Sequence, residues 1–162
     1  MLQTQKYKKS FKELLAELKG VLVGEWLTDM SNFSAFMMME LENLNWVGFY
    51  LLNGQRLCLG PFQGKPACTE VKIGRGVCGL AAETQKITVV DDVQQFADHI
   101  VCDPESHSEI VVPLIYQNQL IGVLDVDSPL KFRFQELEIQ NFLKASVEIF
   151  LSQQKKVQPH FF

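Results

Sequence analysis

The chain is short of basic charge, of histidine, of long apolar runs and of closely spaced cysteines, and each shortage removes a class of function. Its 162 residues carry a net charge of −4. A polyanion needs a basic footprint, so a nucleic-acid partner is excluded. The one local basic cluster, Lys6, Lys8 and Lys9, reads as the solvated start of a helix. Apolar stretches such as Val21-Leu22-Val23 and Ile110 to Tyr116 fall far short of the ~20 residues that cross a bilayer. Glu13, Glu17 and Glu25 interrupt what would have to be a continuous signal-peptide core. No membrane association is expected, and the expected location is the cytoplasm. There are three histidines, one of them in the tail at His160, too few to read the surroundings of Cys102 as a metal site. Cys58, Cys68, Cys78 and Cys102 include no C-x-x-C pair, which rules out a zinc ribbon or a thioredoxin-type motif. In a reducing compartment permanent disulfides are not expected. These cysteines are therefore inert buried thiols, or some of them do chemistry.

What is present is a regular succession of elements. Residues 4–19 and 20–42 read as two helices, the first carrying Leu14, Leu15 and Leu18 at helical spacing with Gly20 as its stop. In the second, Leu22, Trp26, Met30, Phe33, Met37 and Leu41 form one apolar face. The Met37-Met38-Met39 run reads as flexible core filling. Trp46–Leu52 then reads as a strand, with Asn53-Gly54 as a hairpin turn and Leu57–Leu59 as the returning partner. Gly60 to Gly64 reads as a loop. Val71–Ile73 and Ile87–Val90 are short strands on either side of a helix from Val77 to Glu83, and residues 91–108 form a loop with one helical turn. Glu109–Tyr116 and Leu120–Asp127 are apolar on both faces, as in the middle of a covered sheet. An amphipathic helix from Phe134 to about Gln154 follows. Helices, then hairpin-linked strands, then a helix predict an α+β fold, an antiparallel sheet with helices packed on it. With no repeat or linker, residues 1–162 are expected to form one domain, 1–43 being its N-terminal helices and 155–162 a flexible tail.

Strand alternation places Asp125 and Asp127 on one face with Ile121 and Val123. Two carboxylates ending an apolar strand are costly unless partners or water meet them; the plainer alternative is that the strand simply ends and Asp127 caps a turn. Glu109 opens the neighbouring strand. With a two-residue turn at Gln117-Asn118 it would oppose Val126, on the wrong face. An odd loop, or a bulge, would bring it to the two aspartates, and clustered acids raise one another's pKa so that one stays protonated. Cys102 lies between His99 and His107 in a polar loop. Cys78 follows Gly74-Arg75-Gly76 at a helix start, where unpaired N–H groups would favour a thiolate. That glycine loop lacks the third glycine and the Lys-Ser/Thr of a phosphate site. Cys68 sits in a loop, and Cys58, inside a strand, reads as an inert core thiol.

The segments Asn45-Trp46-Val47-Gly48-Phe49-Tyr50, Leu59-Gly60-Pro61-Phe62-Gln63-Gly64, Ala67-Cys68, Gly74-Arg75-Gly76-Val77-Cys78-Gly79, His99-Ile100-Val101-Cys102-Asp103, Ser108 to Leu114 and Ile121 to Ser128 together resemble the free methionine-(R)-sulfoxide reductases, single-domain proteins of the GAF fold. The resemblance runs from about residue 10 to residue 150. It implies that Cys102 is the nucleophile, left as a sulfenic acid when methionine departs. It implies Cys68 as the main resolving cysteine, Cys78 as a secondary one, and a thioredoxin-type reductant to restore the dithiol. Glu109, Asp125 and Asp127 match the carboxylates that bind the sulfoxide oxygen or the ammonium group, and Trp46 and Tyr50 the aromatic residues around the substrate methyl. No metal, haem or nicotinamide enters the scheme, and a homodimer is implied. The chemistry is consistent, since a sulfoxide oxygen leaves only when protonated and an aromatic wall suits a thioether methyl. The loop 91–108 is the natural lid. A GAF module that binds a small ligand and signals, or a redox sensor without turnover, are the rival readings; catalytic turnover separates them from the enzyme.

Overall fold

The computed structural model describes residues 9–155 and 161–162; Lys6, Lys8, the predicted helix start at residues 4–8 and the tail segment 156–160 lie outside them. Helix α1 (Phe11–Val21) begins at a reciprocal cap: the Glu13 N–H donates to Ser10 Oγ and the Ser10 N–H to Glu13 Oε2. It does not stop at Gly20. The chain turns instead at Gly24, whose φ of +86° suits glycine, and a Cβ there would lie 2.7 Å from the Gln153 carbonyl. Helix α2 (Trp26–Glu40) follows. The junction is held by Asp29, fully buried, which accepts from Val23 N (2.8 Å), Gly24 N (2.9 Å) and Gln154 Nε2 (3.0 Å). Removing this carboxylate orphans the buried Gly24 N–H and the part-buried Val23 N–H. Asp29→Ala is therefore expected to lower unfolding free energy by about 3 kcal/mol, measured by urea denaturation; a loss below about 1 kcal/mol would show the junction to be held by other contacts.

The strands β1 (Trp46–Asn53), β2 (Arg56–Gly64), β3 (Glu70–Lys72), β4 (Thr88–Val90), β5 (Ser108–Tyr116) and β6 (Gln119–Ser128) form one antiparallel sheet in the order β3-β2-β1-β6-β5-β4. Helix α3 (Gly76–Thr84) links β3 to β4, a short 3₁₀ turn lies at Val93–Gln95, and α4 (Leu137–Gln153) follows the sheet. The predicted loop at Gly60 to Gly64 is strand: β2 runs on to Gly64, and an irregularity between Gly48 and Tyr50 absorbs the change of register.

Both faces of the sheet are covered. On one, Val47, Phe49, Leu51, Ile110, Val112, Leu124 and Val126 meet α1, α2 and α4. Here Phe33, Phe49 and Phe150 pack with ring centroids 5.3–5.9 Å apart. All six apolar positions expected on the α2 face are buried, from Leu22 to Leu41. Of the methionine run, Met37 is buried, Met38 is half-buried against the same core and Met39 is 71% exposed, so core filling applies to the first two. Phe161 of the tail packs edge-on to Trp26. The other face carries Trp46, Tyr50, Val111 and Val123, covered by α3 and the segment after β4. No described helix is long and apolar enough to cross a membrane.

Candidate active site

The position of Glu109 depends on how the β5–β6 hairpin closes. Its turn has two residues, Gln117 and Asn118, both at positive φ, between paired Tyr116 and Gln119. That closure alone would oppose Glu109 to Val126. Further along, Ile115 pairs with Leu120 but Leu114 with Gly122, leaving Ile121 bulged out. The slip of one residue sets Glu109 opposite Asp127 and Val111 opposite Asp125. It also overturns one expectation, because Ile121 packs in the helix-covered core and not on the face of Asp125 and Asp127. Strand β1 pairs with the other edge of β6, Trp46 with Asp127 and Gly48 with Asp125. Period-two alternation across three strands thus presents Trp46, Tyr50, Glu109, Asp125 and Asp127 to one pocket.

Helix α3 and two loops complete it. Cys78, His99, Ile100, Cys102, Asp103 and Ser106 line the same pocket. Cys68, in the loop after β2, is joined to Cys102 by a disulfide, their Cα atoms 5.5 Å apart. Trp46 stacks on Tyr50 and Phe62, at 5.8 and 5.3 Å between centroids, making an aromatic wall. Its Nε1–H donates to the Lys65 carbonyl and Tyr50 Oη–H to the Cys68 carbonyl, so the wall also holds the Cys68 loop. The segment carrying Cys102 is fastened on both sides. Asp98 takes a bidentate contact from Arg75 and accepts from the Gly76 N–H, while Asn45 Nδ2 donates to Asp103 and Ser106. These clasps escaped the sequence reading because each joins residues more than twenty positions apart.

The electrostatics follow from burial. Glu109 and Asp127 are pushed well above the ordinary carboxyl range, first by burial and then by the neighbouring carboxylates. Burial raises Asp125 as well, to about 6, with hydrogen bonds from Glu109 and Cys78 opposing the rise. The Asp125 Oδ1 is buried with no hydrogen-bond partner among the described residues. The expectation of a thiolate at Cys78 fails. Burial, then the charges of Asp125, Glu109 and Asp127, raise this thiol, and its Sγ–H donates to Glu109 Oε1 at 3.9 Å. Desolvation outweighs the helix terminus. His99, its Nε2 3.9 Å from Glu109 Oε2, is pushed down by burial and is neutral. Among the described residues, donor atoms of Cys78, Glu109 and Asp125 lie within 4.8 Å of one another and are the set that could hold a cation. Cys58 is buried in β2, is not among the pocket's lining residues, and is unpaired. Cys58→Ser is expected to leave turnover within about twofold of the parent; a large loss from folded protein would give this thiol a function.

A six-stranded antiparallel sheet with helices on one face and a pocket on the other is the architecture of a GAF domain, and residues 27–149 match that family. Within it, the chain belongs to the free methionine-(R)-sulfoxide reductases. It is 44% identical over 141 residues to the "Free methionine-R-sulfoxide reductase" of Escherichia coli strain K12, covering 86% of each chain. Two solved structures are similar throughout. One is the fRMsr of Staphylococcus aureus in complex with substrate, with 40% identity, TM-score 0.85, and 93% of this chain and 99% of that one covered. The other is the free methionine-R-sulfoxide reductase of Neisseria meningitidis in complex with its substrate, with 34% identity, TM-score 0.86, and 95% and 96% covered.

Proposed function

We propose that the chain reduces free L-methionine-(R)-sulfoxide to methionine through Cys102, and that the Cys68–Cys102 disulfide is the oxidised form of that cycle. The disulfide beside an acid-floored, aromatic-walled pocket is the observation that carries this reading. The Cys102 thiolate attacks the sulfoxide sulfur while a protonated carboxyl delivers a proton to the oxygen. The oxygen then passes from the methionine sulfur to the Cys102 sulfur: a Cys102 S–O bond forms as the methionine S–O bond and the transient S–S bond break, methionine leaves as the thioether with the electron pair, and Cys102 is left as a sulfenic acid. The Cys68 thiol then condenses with it, forming the S–S bond and releasing water. A dithiol reductant of the thioredoxin type takes up the disulfide by exchange and returns both thiols. Such a cycle suits a reducing compartment, the cytoplasm.

The raised carboxyls support a division of labour. Glu109 and Asp127, pushed well above the ordinary carboxyl range by burial and neighbouring carboxylates, suit donation to the sulfoxide oxygen. Asp125, ionised above about pH 6, suits the substrate ammonium. Trp46 and Tyr50 would pack on the methyl and thioether. Cys78, a thiol hydrogen-bonded to Glu109, is a reserve resolving thiol in this scheme. A homodimer is part of the same proposal: α2 exposes Leu27 and Met39, apolar side chains that a second copy would cover.

The experiment is methionine release from free methionine-(R)-sulfoxide, the S epimer and a sulfoxide-containing peptide, with dithiothreitol as reductant. Turnover of the free R form alone is expected. Folded, fully reduced protein that binds the sulfoxide but releases no methionine would instead be a ligand-binding module.

A further inference from the structure

Sulfur and two carboxyls meet where α3 crosses the sheet. Cys78 comes from α3, Glu109 from β5 and Asp125 from β6, and each is at most 6% exposed. The Cys78 sulfur lies 3.9 Å from Glu109 Oε1, and one donor atom from each of the three residues lies within 4.8 Å of the other two. That spacing leaves no room for a molecule between the side chains, but it is close to the spacing of ligands around a single ion. Zinc bonds of ~2.3 Å to sulfur and ~2.0–2.2 Å to a carboxylate oxygen set the donors of a tetrahedral site roughly 3.5 Å apart. Small rotations of the two carboxylates close the set to that distance.

A second and independent observation calls for a cation here. Asp125 Oδ1 is buried with no hydrogen-bond partner, and Asp125 lines the pocket. A buried carboxylate oxygen is satisfied by a donor or by a metal. The described lining residues offer no cationic side chain: they include Asp103, Glu109, Asp125 and Asp127 but no lysine or arginine. The sulfur selects among ions. Magnesium and calcium take oxygen ligands, whereas a thiolate combined with carboxylates suits zinc. Three protein ligands leave a fourth position, and His99 Nε2, 3.9 Å from Glu109 Oε2, stands beside it.

We propose that Cys78, Glu109 and Asp125 bind a zinc ion, and that the bound ion shuts the pocket to substrate. On binding, the Cys78 thiol gives its proton to solvent and its sulfur bonds to the metal; nothing is oxidised or reduced. Cys68 and Cys102 are joined to each other and take no part in the ligand set, so the oxidised chain holds the site complete. The binding stands apart from the function proposed above. The block on turnover rests on that reading, because the ion occupies Glu109 and Asp125, the carboxyls assigned there to the sulfoxide oxygen and the ammonium.

The test of binding uses the oxidised chain, in which the free cysteines are Cys58 and Cys78. Cobalt(II) serves as the coloured stand-in for zinc. A thiolate-to-cobalt charge-transfer band is expected in the wild type and in Cys58→Ser, bleached when zinc displaces the cobalt, and absent in Cys78→Ser. No band in the wild type, or a band that survives in Cys78→Ser, would overturn the inference. Asp125→Asn covers the case of a Cys78→Ser chain that does not fold. It keeps the thiol, and its zinc affinity, read by competition with a chromophoric chelator, is expected to drop roughly tenfold or more. An unchanged affinity would sink the site. The block is read separately, as single-turnover methionine release by the reduced chain freed of reductant. Zinc should slow the release and a chelator restore it, and the zinc needed to halve the rate should rise in Asp125→Asn in step with the lost affinity. A rate that zinc leaves unchanged, or a block undiminished in Asp125→Asn, would overturn that half. Failure of the proposed function reads differently: the chain would bind zinc and release no methionine with or without it.

Discussion

Cys102→Ser lowers turnover of methionine-(R)-sulfoxide by on the order of a thousandfold or more, because a serine hydroxyl has no anionic form to offer near neutrality. Cys68→Ser behaves differently. Without added reductant it still releases one methionine per chain, and Cys102 accumulates as a sulfenic acid that a cyclic 1,3-dione labels. The asymmetry follows from the order of bond making. Sulfoxide reduction needs one sulfur, whereas closing the S–S bond seen between residues 68 and 102 needs two. Single-turnover methionine release with mass measurement of the chain reads both. A Cys102→Ser chain that keeps its first half-reaction while Cys68→Ser loses it would exchange the two roles.

Asp125→Asn makes the protein more stable at pH 8 and a poorer catalyst. The native carboxyl titrates at about 6, against an ordinary value of about 4 in an unfolded chain. Below about pH 4 both states hold the proton and the group costs nothing. Between 4 and 6 the unfolded chain ionises first, so native stability drains away as pH rises. Above about 6 the folded chain carries an ionised buried carboxylate at a cost of roughly 3 kcal/mol, two units at about 1.4 each. The neutral amide removes that cost. A gain of roughly 2–3 kcal/mol in urea denaturation at pH 8, and almost none at pH 4, is expected, together with a higher KM as the ammonium loses its anion. Equal effects at the two pH values would refute the titration argument. Activity has its own limb, since Glu109 and Asp127 donate only while protonated. Turnover should therefore fall as pH rises through their elevated values, and Glu109→Gln should displace that limb.

The fold class was legible because it rests on short-range signals. Aromatic and β-branched residues along Trp46–Leu52 and apolar runs along Glu109–Tyr116 and Leu120–Asp127 mark strands, three- and four-residue spacing from Leu22 to Leu41 marks a helix face, and Asn118 marks a turn. Boundaries were less legible. Gly20 resembles a helix stop, yet Asp29 and Gln154 hold the break at Gly24, and Gln154 comes from the far end of the chain. Gly60-Pro61 resembles a loop, yet pairing with β1 keeps it in the sheet. The motifs around Cys68, Cys78 and Cys102 pointed to the family without any structure.

By itself the sequence determined the α+β class, the family and the set of chemically capable residues, since each is written in neighbouring side chains. Tertiary structure decided the rest. A single bulged residue, Ile121, brings Glu109 onto the face of Asp125 and Asp127, and no local pattern distinguished that bulge from an odd-length loop. Protonation was decided the same way. The start of α3 predicted a thiolate at Cys78, but three carboxylates and complete burial hold it as a thiol. Burial and the sum of distant charges are properties of the packed chain, which no stretch of sequence carries.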